Sequence, residues 1–185
     1  MAIELLFDQL NTLKADLTEA YNTYGSLKAI PVKNMGDIIL DYLIYAYVMG
    51  VEDVDEQFGT ATEIKAEDVE RVVYEKIADK DFRQRVDEYV NGNGTVEDIL
   101  RIAETDTTRI YNEAGLETAG RVGARYKTWN AVGDERTRAT HDYIQRVRVG
   151  INDRFYTFDG DSALRPGGFT LPENNVNCRC WLTFS

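Results

Sequence analysis

His141 is the only histidine in this 185-residue chain, and Cys178 and Cys180 are its only cysteines. These three side chains are the natural places to look for proton transfer, nucleophilic attack or metal ligation. A nuclease would use His141 as general acid or base, and a cysteine hydrolase would pair it with Cys178 or Cys180. A lone histidine excludes any mechanism that needs two in one chain, HExxH metalloproteases among them. No GxSxG, P-loop or GxGxxG pattern accompanies the three residues. A disulfide between cysteines two apart would close a strained ring and constrain almost nothing, so a reducing compartment fits.

Around this set lies an arginine-rich stretch. From Arg121 to Arg154 the bases are Arg121, Arg125, Lys127, Arg136, Arg138, Arg146, Arg148 and Arg154, facing Asp134, Glu135, Asp142 and Asp153. Internal ion pairs that position loops are one use of such a stretch; an acidic partner or DNA is the other. By residue type, Trp129 reads as a core anchor, and Arg136 and Arg138 as ties to Asp134 or to backbone carbonyls. Asn177 suits a turn closed by its own side chain. If the terminal segment is extended, Cys178 and Cys180 share one face, with Arg179 and Trp181 on the other.

The elements that must carry these residues differ between the two halves. Residues 1–95 hold 19 acids and 9 bases, whereas residues 96–185 hold 13 and 12, for a net charge of -11 overall. So acidic a surface opposes non-specific coating of nucleic acid. The longest uncharged apolar stretch, Tyr42 to Val51, is too short to cross a bilayer, and Glu4 and Asp8 stand where a signal peptide is basic; the reading is cytosolic.

Ile3, Leu6, Leu10, Leu13 and Leu17, continued by Ala20 and Tyr24, form a heptad seam, ended by Gly25 and Ser26. So narrow a seam suits packing on one partner helix, either within the chain or, as an interaction seam, in assembly or self-association. Beyond Pro31, a second, largely apolar helix capped by Asn34 should be central, and the acids Glu52, Asp53, Asp55 and Glu56 read as a solvated turn. Val69 to Val90 suggests further helix. Asn91-Gly92-Asn93-Gly94 is the strongest break, and Thr95, with Asp98 three residues on, caps a helix expected to reach Gly115. Beyond Gly123, glycines, prolines and short β-prone runs imply a loop-rich unit with a terminal strand from Cys180 to Phe184. The fold class is α+β: an N-terminal helical bundle, then a long helix and a small loop-rich α+β module. The division expected is 1–94, a helical assembly region, and 95–185, the module.

Certain motifs in the last third are specific in combination: Lys127-Thr128-Trp129, then Asp134-Glu135-Arg136-Thr137-Arg138-Ala139-Thr140-His141, Arg165-Pro166-Gly167-Gly168 and Asn177-Cys178-Arg179-Cys180. In this order and spacing, residues 99–185 resemble the phage Mu protein F-like minor head proteins of tailed phages. One departure is Asp142-Tyr143-Ile144-Gln145, where many relatives place Leu-Asp-Gly.

The resemblance implies a non-enzymatic virion component, in the capsid interior or at the portal vertex and in host cytoplasm during assembly. Its implied partners are the portal protein or major capsid protein, near packaged DNA and without a membrane. It would act in capsid assembly or in DNA packaging and delivery. Two alternatives stand beside it: an ADP-ribosyltransferase-like or nuclease-like module using His141, and a generic scaffold or adaptor acting through the N-terminal helices. Because His141, Cys178 and Cys180 all fall in the matching motifs, they are expected to converge. A zinc site would use these three, with Asp134 or Asp142 as fourth ligand. A Cys-x-Cys pair with a carboxylate is unusual for tetrahedral closure. A metal-free hydrogen-bonded cluster is therefore the favoured arrangement, and no cofactor is expected.

Overall fold

The computed structural model describes residues 2–185, without the side chains of residues 2–4, Phe7 and Val32. Ile3, first of the seam residues, thus has its side chain outside the described residues. The fold is α+β, helical in its N-terminal part, with small antiparallel sheets near the C-terminus.

Helix α1 (Ala2–Tyr24) ends at Gly25, whose φ of 77° only glycine adopts freely. Its leucines do not wait for a partner. Leu6, Leu13 and Leu17 are buried in the chain's own core, and Leu10 packs on its edge. The expected interaction seam is therefore closed from within. The reason is the apolar face of α2 (Val32–Phe58), which supplies Met35, Ile39, Leu43 and Ala46 to the same core. Two further readings of α2 change. It begins directly after Pro31, so Asn34 lies inside it, and it continues through the acidic run. Val51 and Val54 stay buried while Glu52 points outward, and Gly59 caps the end in the left-handed region.

Helices α3 (Ala66–Val73) and α4 (Phe82–Asn91) follow, the latter opened by a reciprocal Asp81–Gln84 capping box. Helix α5 (Val96–Arg121) opens with the Thr95–Asp98 capping box. It runs past Gly115, which marks a helix crossing and not an end. Gly115 meets Gly50 of α2, and a Cβ at Gly50 would lie 2.3 Å from the Tyr111 carbonyl oxygen. The glycines allow the two longest apolar helices to approach backbone to backbone.

Ile99, Ala103, Ile110 and Ala114 of α5 complete the core begun by α1–α4, whereas Ala119 enters a second core beyond it. A division at residue 94 would cut through the first core. Strands β1 (Tyr126–Asn130), β2 (Arg148–Gly150) and β5 (Trp181–Phe184) form an antiparallel sheet in the order β2-β1-β5, with Trp129 opposite Leu182. A one-turn helix, α6 (Ala139–Tyr143), a hairpin of β3 (Phe155–Tyr156) and β4 (Ser162–Ala163), and a second short helix, α7 (Pro172–Asn175), fill the loops. No helix among the described residues is long and apolar enough to cross a membrane.

Candidate functional site

Three segments converge under the sheet: β1, α6 and the approach to β5. Strand alternation turns Cys178, Cys180, Leu182 and Phe184 into the second core, and Arg179, Trp181 and Thr183 to the opposite face, where Trp181 packs against the first core. Asn177, at φ 54°, makes the left-handed turn that starts this run. The run is held from below by polar residues of α5. Thr108 Oγ1 donates to the Cys178 carbonyl at 2.7 Å, and Asn112 Nδ2 to the Cys180 carbonyl at 3.0 Å. Asn112 Oδ1 accepts from Leu182 N at 3.1 Å, while Asn177 N donates to Thr105 Oγ1 at 3.2 Å. Helix α5 thus fixes the backbone that carries both cysteines.

From the other side α6 brings His141. Its Nδ1 lies 3.6 Å from Cys178 Sγ and 3.3 Å from Cys180 Sγ. The three ligand atoms lie within 4.8 Å of one another, all buried. The ring stacks on Phe169 and meets Trp129 edge-on, at centroid distances of 5.4 Å each. Trp129, fully buried, also packs on Phe155. The His141 Nε2 and the Trp129 indole nitrogen have no hydrogen-bond partner among the described residues. A hydrogen bond from Cys180 pulls the Cys178 thiol well below its ordinary range against the effect of burial, with His141 adding to the pull. The same contact, with burial, pushes the Cys180 thiol up, while Trp129 and Arg138 act in the opposite sense.

The charged motif residues sit around this cluster and outside it. Asp134 is taken by Arg179, whose Nη2 lies 2.6 and 2.8 Å from its two carboxylate oxygens, and that pairing holds Asp134 below its usual value. Asp142 is exposed. Neither carboxylate joins the His–Cys–Cys group among the described residues, so the expected carboxylate fourth ligand is corrected. Arg138 donates to the Val176 carbonyl, and the backbone N–H of Arg136 to Asp134 at 3.1 Å. Elsewhere in the arginine-rich stretch, Arg121 pairs with Asp68, Arg154 bonds Ser162, and Arg148 lies 4.0 Å over the Tyr126 ring. Lys127 is fully buried in β1, its Nζ without a hydrogen-bond partner among the described residues and 5.6 Å over the Phe155 ring. Burial pushes its pKa down to about 8, with Asp153 opposing.

A second polar cluster joins the helices to the module. Asp106 of α5, fully buried, accepts from Arg85 at 2.6 Å and from Arg109 at 3.1 Å. Arg109 also reaches Glu75 and the Val72 carbonyl. Arg165 pairs with Glu113, and burial beside Arg109 lowers it to about 10. Gly167 lets the Arg165-Pro166-Gly167-Gly168 loop lie on α5, since a Cβ there would come within 2.9 Å of Arg109. Sequence reasoning passed over Asp106 and Thr108, and took Asn112 only as part of a motif. A signal was present: Thr108 and Asn112 lie four apart on the buried side of the helix, among Ile99, Ala103 and Ile110.

A strand segment tied to a long helix, with a buried His–Cys–Cys cluster closing a loop-rich sheet, defines a small structural module. The family described as Phage Mu protein F like protein matches residues 63–183, well over half of the chain, and the chain belongs to that family. The match starts upstream of residue 99, at the approach to α3. Over 85 residues the chain is 36% identical to the NAD(+)–arginine ADP-ribosyltransferase EFV of Enterococcus faecalis, covering 44% of this chain and 17% of that protein. Over 71 residues it is 30% identical to the minor head protein GP7 of Bacillus phage SPP1, covering 38% of this chain and 23% of that protein. The chain therefore spans under a quarter of the length of either relative. No solved structure matches it.

Proposed function

We propose that this chain is a phage minor head protein: a structural, non-enzymatic virion component associated with the portal, acting in capsid assembly or in DNA packaging and delivery. Membership of the Phage Mu protein F like family over residues 63–183 carries the reading, and the likeness to a protein named as a minor head protein supports it. The site agrees in kind. His141 is buried between aromatic rings, and the cavity that reaches it and Cys180 measures about 10 Å³, too small for a substrate; a larger cavity of about 220 Å³ borders Cys178 and Asn177 without reaching His141. Such a cluster suits holding a module together better than turning over a ligand. The partners in this reading are the portal protein or the major capsid protein, close to packaged DNA. With the leucine seam of α1 covered internally, those contacts fall to other surfaces.

The test is a pull-down of the tagged chain against the portal and major capsid proteins encoded beside it, with mass spectrometry of purified particles. Retention of either protein and presence in particles is the expected result. Absence from particles together with no retention would overturn the reading. A second reading, ADP-ribosyl transfer, is favoured by the 36% identity to the transferase. Incubation of the chain with NAD(+) and an arginine acceptor separates the two: no transfer is expected, and arginine-linked product would favour the enzyme.

A further inference from the structure

We infer that His141, Cys178 and Cys180 form a zinc site, with Nδ1 of the histidine and both thiolates as ligands. The inference is independent of the role in the phage head. It rests first on geometry. Tetrahedral zinc, with bonds of about 2.3 Å to sulfur and about 2.0 Å to nitrogen, sets sulfur and nitrogen ligands about 3.5 Å apart. The two thiols stand 3.6 and 3.3 Å from Nδ1.

Valence is the second argument. A neutral imidazole Nδ1 has one lone pair and accepts one S–H bond. Here two thiols converge on that nitrogen, so it accepts from only one of them, and the other is left with the weak sulfur acceptor of its neighbour. One cation between the three atoms uses both sulfurs and the nitrogen at once. The Nδ1 lone pair then faces the ion, and the proton sits on Nε2.

Charge is the third. All three side chains are buried, where a net charge is costly. Two thiolates and a neutral histidine cancel a divalent ion, so the occupied site is neutral. Binding transfers both thiol protons to solvent and breaks no other bond.

The backbone is already set for ligation. Thr108 and Asn112 hold the carbonyls of Cys178 and Cys180, and the turn at Asn177 aims the strand. No carboxylate completes the set among the described residues. The fourth position falls to the cavity of about 10 Å³ next to His141 and Cys180, walled by Val132, Arg136, Thr137, Arg138 and Asn177. That volume admits about one water molecule. The ion would fasten α6 to the approach to β5 across the second core.

The full chain, expressed and purified without chelator, is assayed for metal by elemental analysis. About one zinc per chain is expected. The full chain is then stripped with chelator and titrated with Zn²⁺, and separately with Co²⁺. Recovery of the thermal midpoint with zinc and a thiolate-to-cobalt charge-transfer band are expected. Both readouts use the unaltered protein, so they decide the matter even where a variant fails to fold. Cys178→Ser and Cys180→Ser should each weaken zinc binding by more than about 100-fold. Metal-free protein whose midpoint is unmoved by chelator or added zinc, and which gives no charge-transfer band, would overturn the site.

Discussion

Replacing Asn112 by alanine tests whether α5 positions the cysteine-bearing strand. The side chain makes three hydrogen bonds: to the Thr108 carbonyl at 2.8 Å, to the Cys180 carbonyl at 3.0 Å, and from Leu182 N at 3.1 Å. The first is an intrahelical extra whose loss costs little, because that carbonyl keeps its place in the helix. The other two partners are backbone groups of a strand packed under the sheet, and truncation strands one acceptor and one donor there. At about 1–2 kcal/mol for each stranded group, the variant should lose about 2–4 kcal/mol. A chain of this size shifts its midpoint by roughly 2–4 °C per kcal/mol, so a fall of about 4–16 °C is expected. Thr108→Val removes a single bond, to the Cys178 carbonyl, and should cost about 1–2 kcal/mol. Because both residues clamp one strand, the double variant should cost less than the sum, with a coupling of at least about 0.5 kcal/mol. Urea unfolding followed by fluorescence of the buried Trp129 measures each term. An Asn112→Ala loss under about 0.5 kcal/mol at unchanged denaturant slope would refute the clamp.

Four further outcomes are expected. Gly50→Ala places a Cβ against the Tyr111 carbonyl and should cost about 2–3 kcal/mol in urea unfolding; a neutral result would mean the α2–α5 crossing is looser than described. Lys127 has its pKa lowered from 10.5 to about 8, so between those values the unfolded chain binds more protons and stability rises with pH. Lys127→Met should remove that rise and gain stability at pH 7, as read from the difference between the two unfolding profiles; parallel profiles would refute it. Asp161 is pushed up by burial but held below its ordinary value by the N–H groups of Leu171, Ser162 and Thr170 and by Asn174. Asp161→Asn should therefore destabilise at neutral pH, with the difference shrinking as pH falls below 3.8 through the folded value; a pH-independent difference would count against the ionised form. A fragment starting at Thr95 should fail to fold cooperatively, since α5 loses the cover of α2; a sharp thermal transition in that fragment would show that the break at Asn91–Gly94 separates independent units.

Much of the secondary structure was legible because it is written in periodicity. The seven-residue spacing in α1, the Thr95–Asp98 box and the alternation around Cys178 and Cys180 each specify local geometry directly. What escaped depends on neighbours. The acids from Glu52 to Glu56 look like a turn until Val51 and Val54 are seen to need burial, which keeps the helix intact to Gly59. Gly115 reads as a stop because the close passage of Gly50 is a tertiary fact. The leucine seam spelled out a helix that must be covered but not by what, and α2 covers it. Around the cysteines, motif order marked the residues, while the polar clamps on α5 stayed hidden because Thr108 and Asn112 break an apolar pattern without naming a partner.

The ion-pair network explains where the family's unit begins. If the module were only the sheet and its loops, α3 and α4 would be dispensable and the match would start near α5. Instead it starts at residue 63. Helix α3 supplies the Val72 carbonyl, the residues just after it supply Glu75, and α4 supplies Arg85. All three bind groups around Asp106 and Arg109 of α5, which also carries the Arg165 loop through Glu113. Three arginines thus face three carboxylates, and three of these six groups (Asp106, Arg109 and Arg165) are at least nine-tenths buried. Removing one member leaves another charge without its counterion in low-dielectric surroundings, at about 3–5 kcal/mol, whereas the assembled set is close to neutral. Helices that supply the counterions cannot be shed without stranding the charges of α5. By contrast α1 meets the rest through apolar packing and one exposed hydrogen bond, from the Tyr42 hydroxyl to Asp16, and another apolar surface of similar shape could replace that packing. The network therefore ties α3 and α4 to the cysteine-bearing module, and the N-terminal helices cover what that unit leaves exposed.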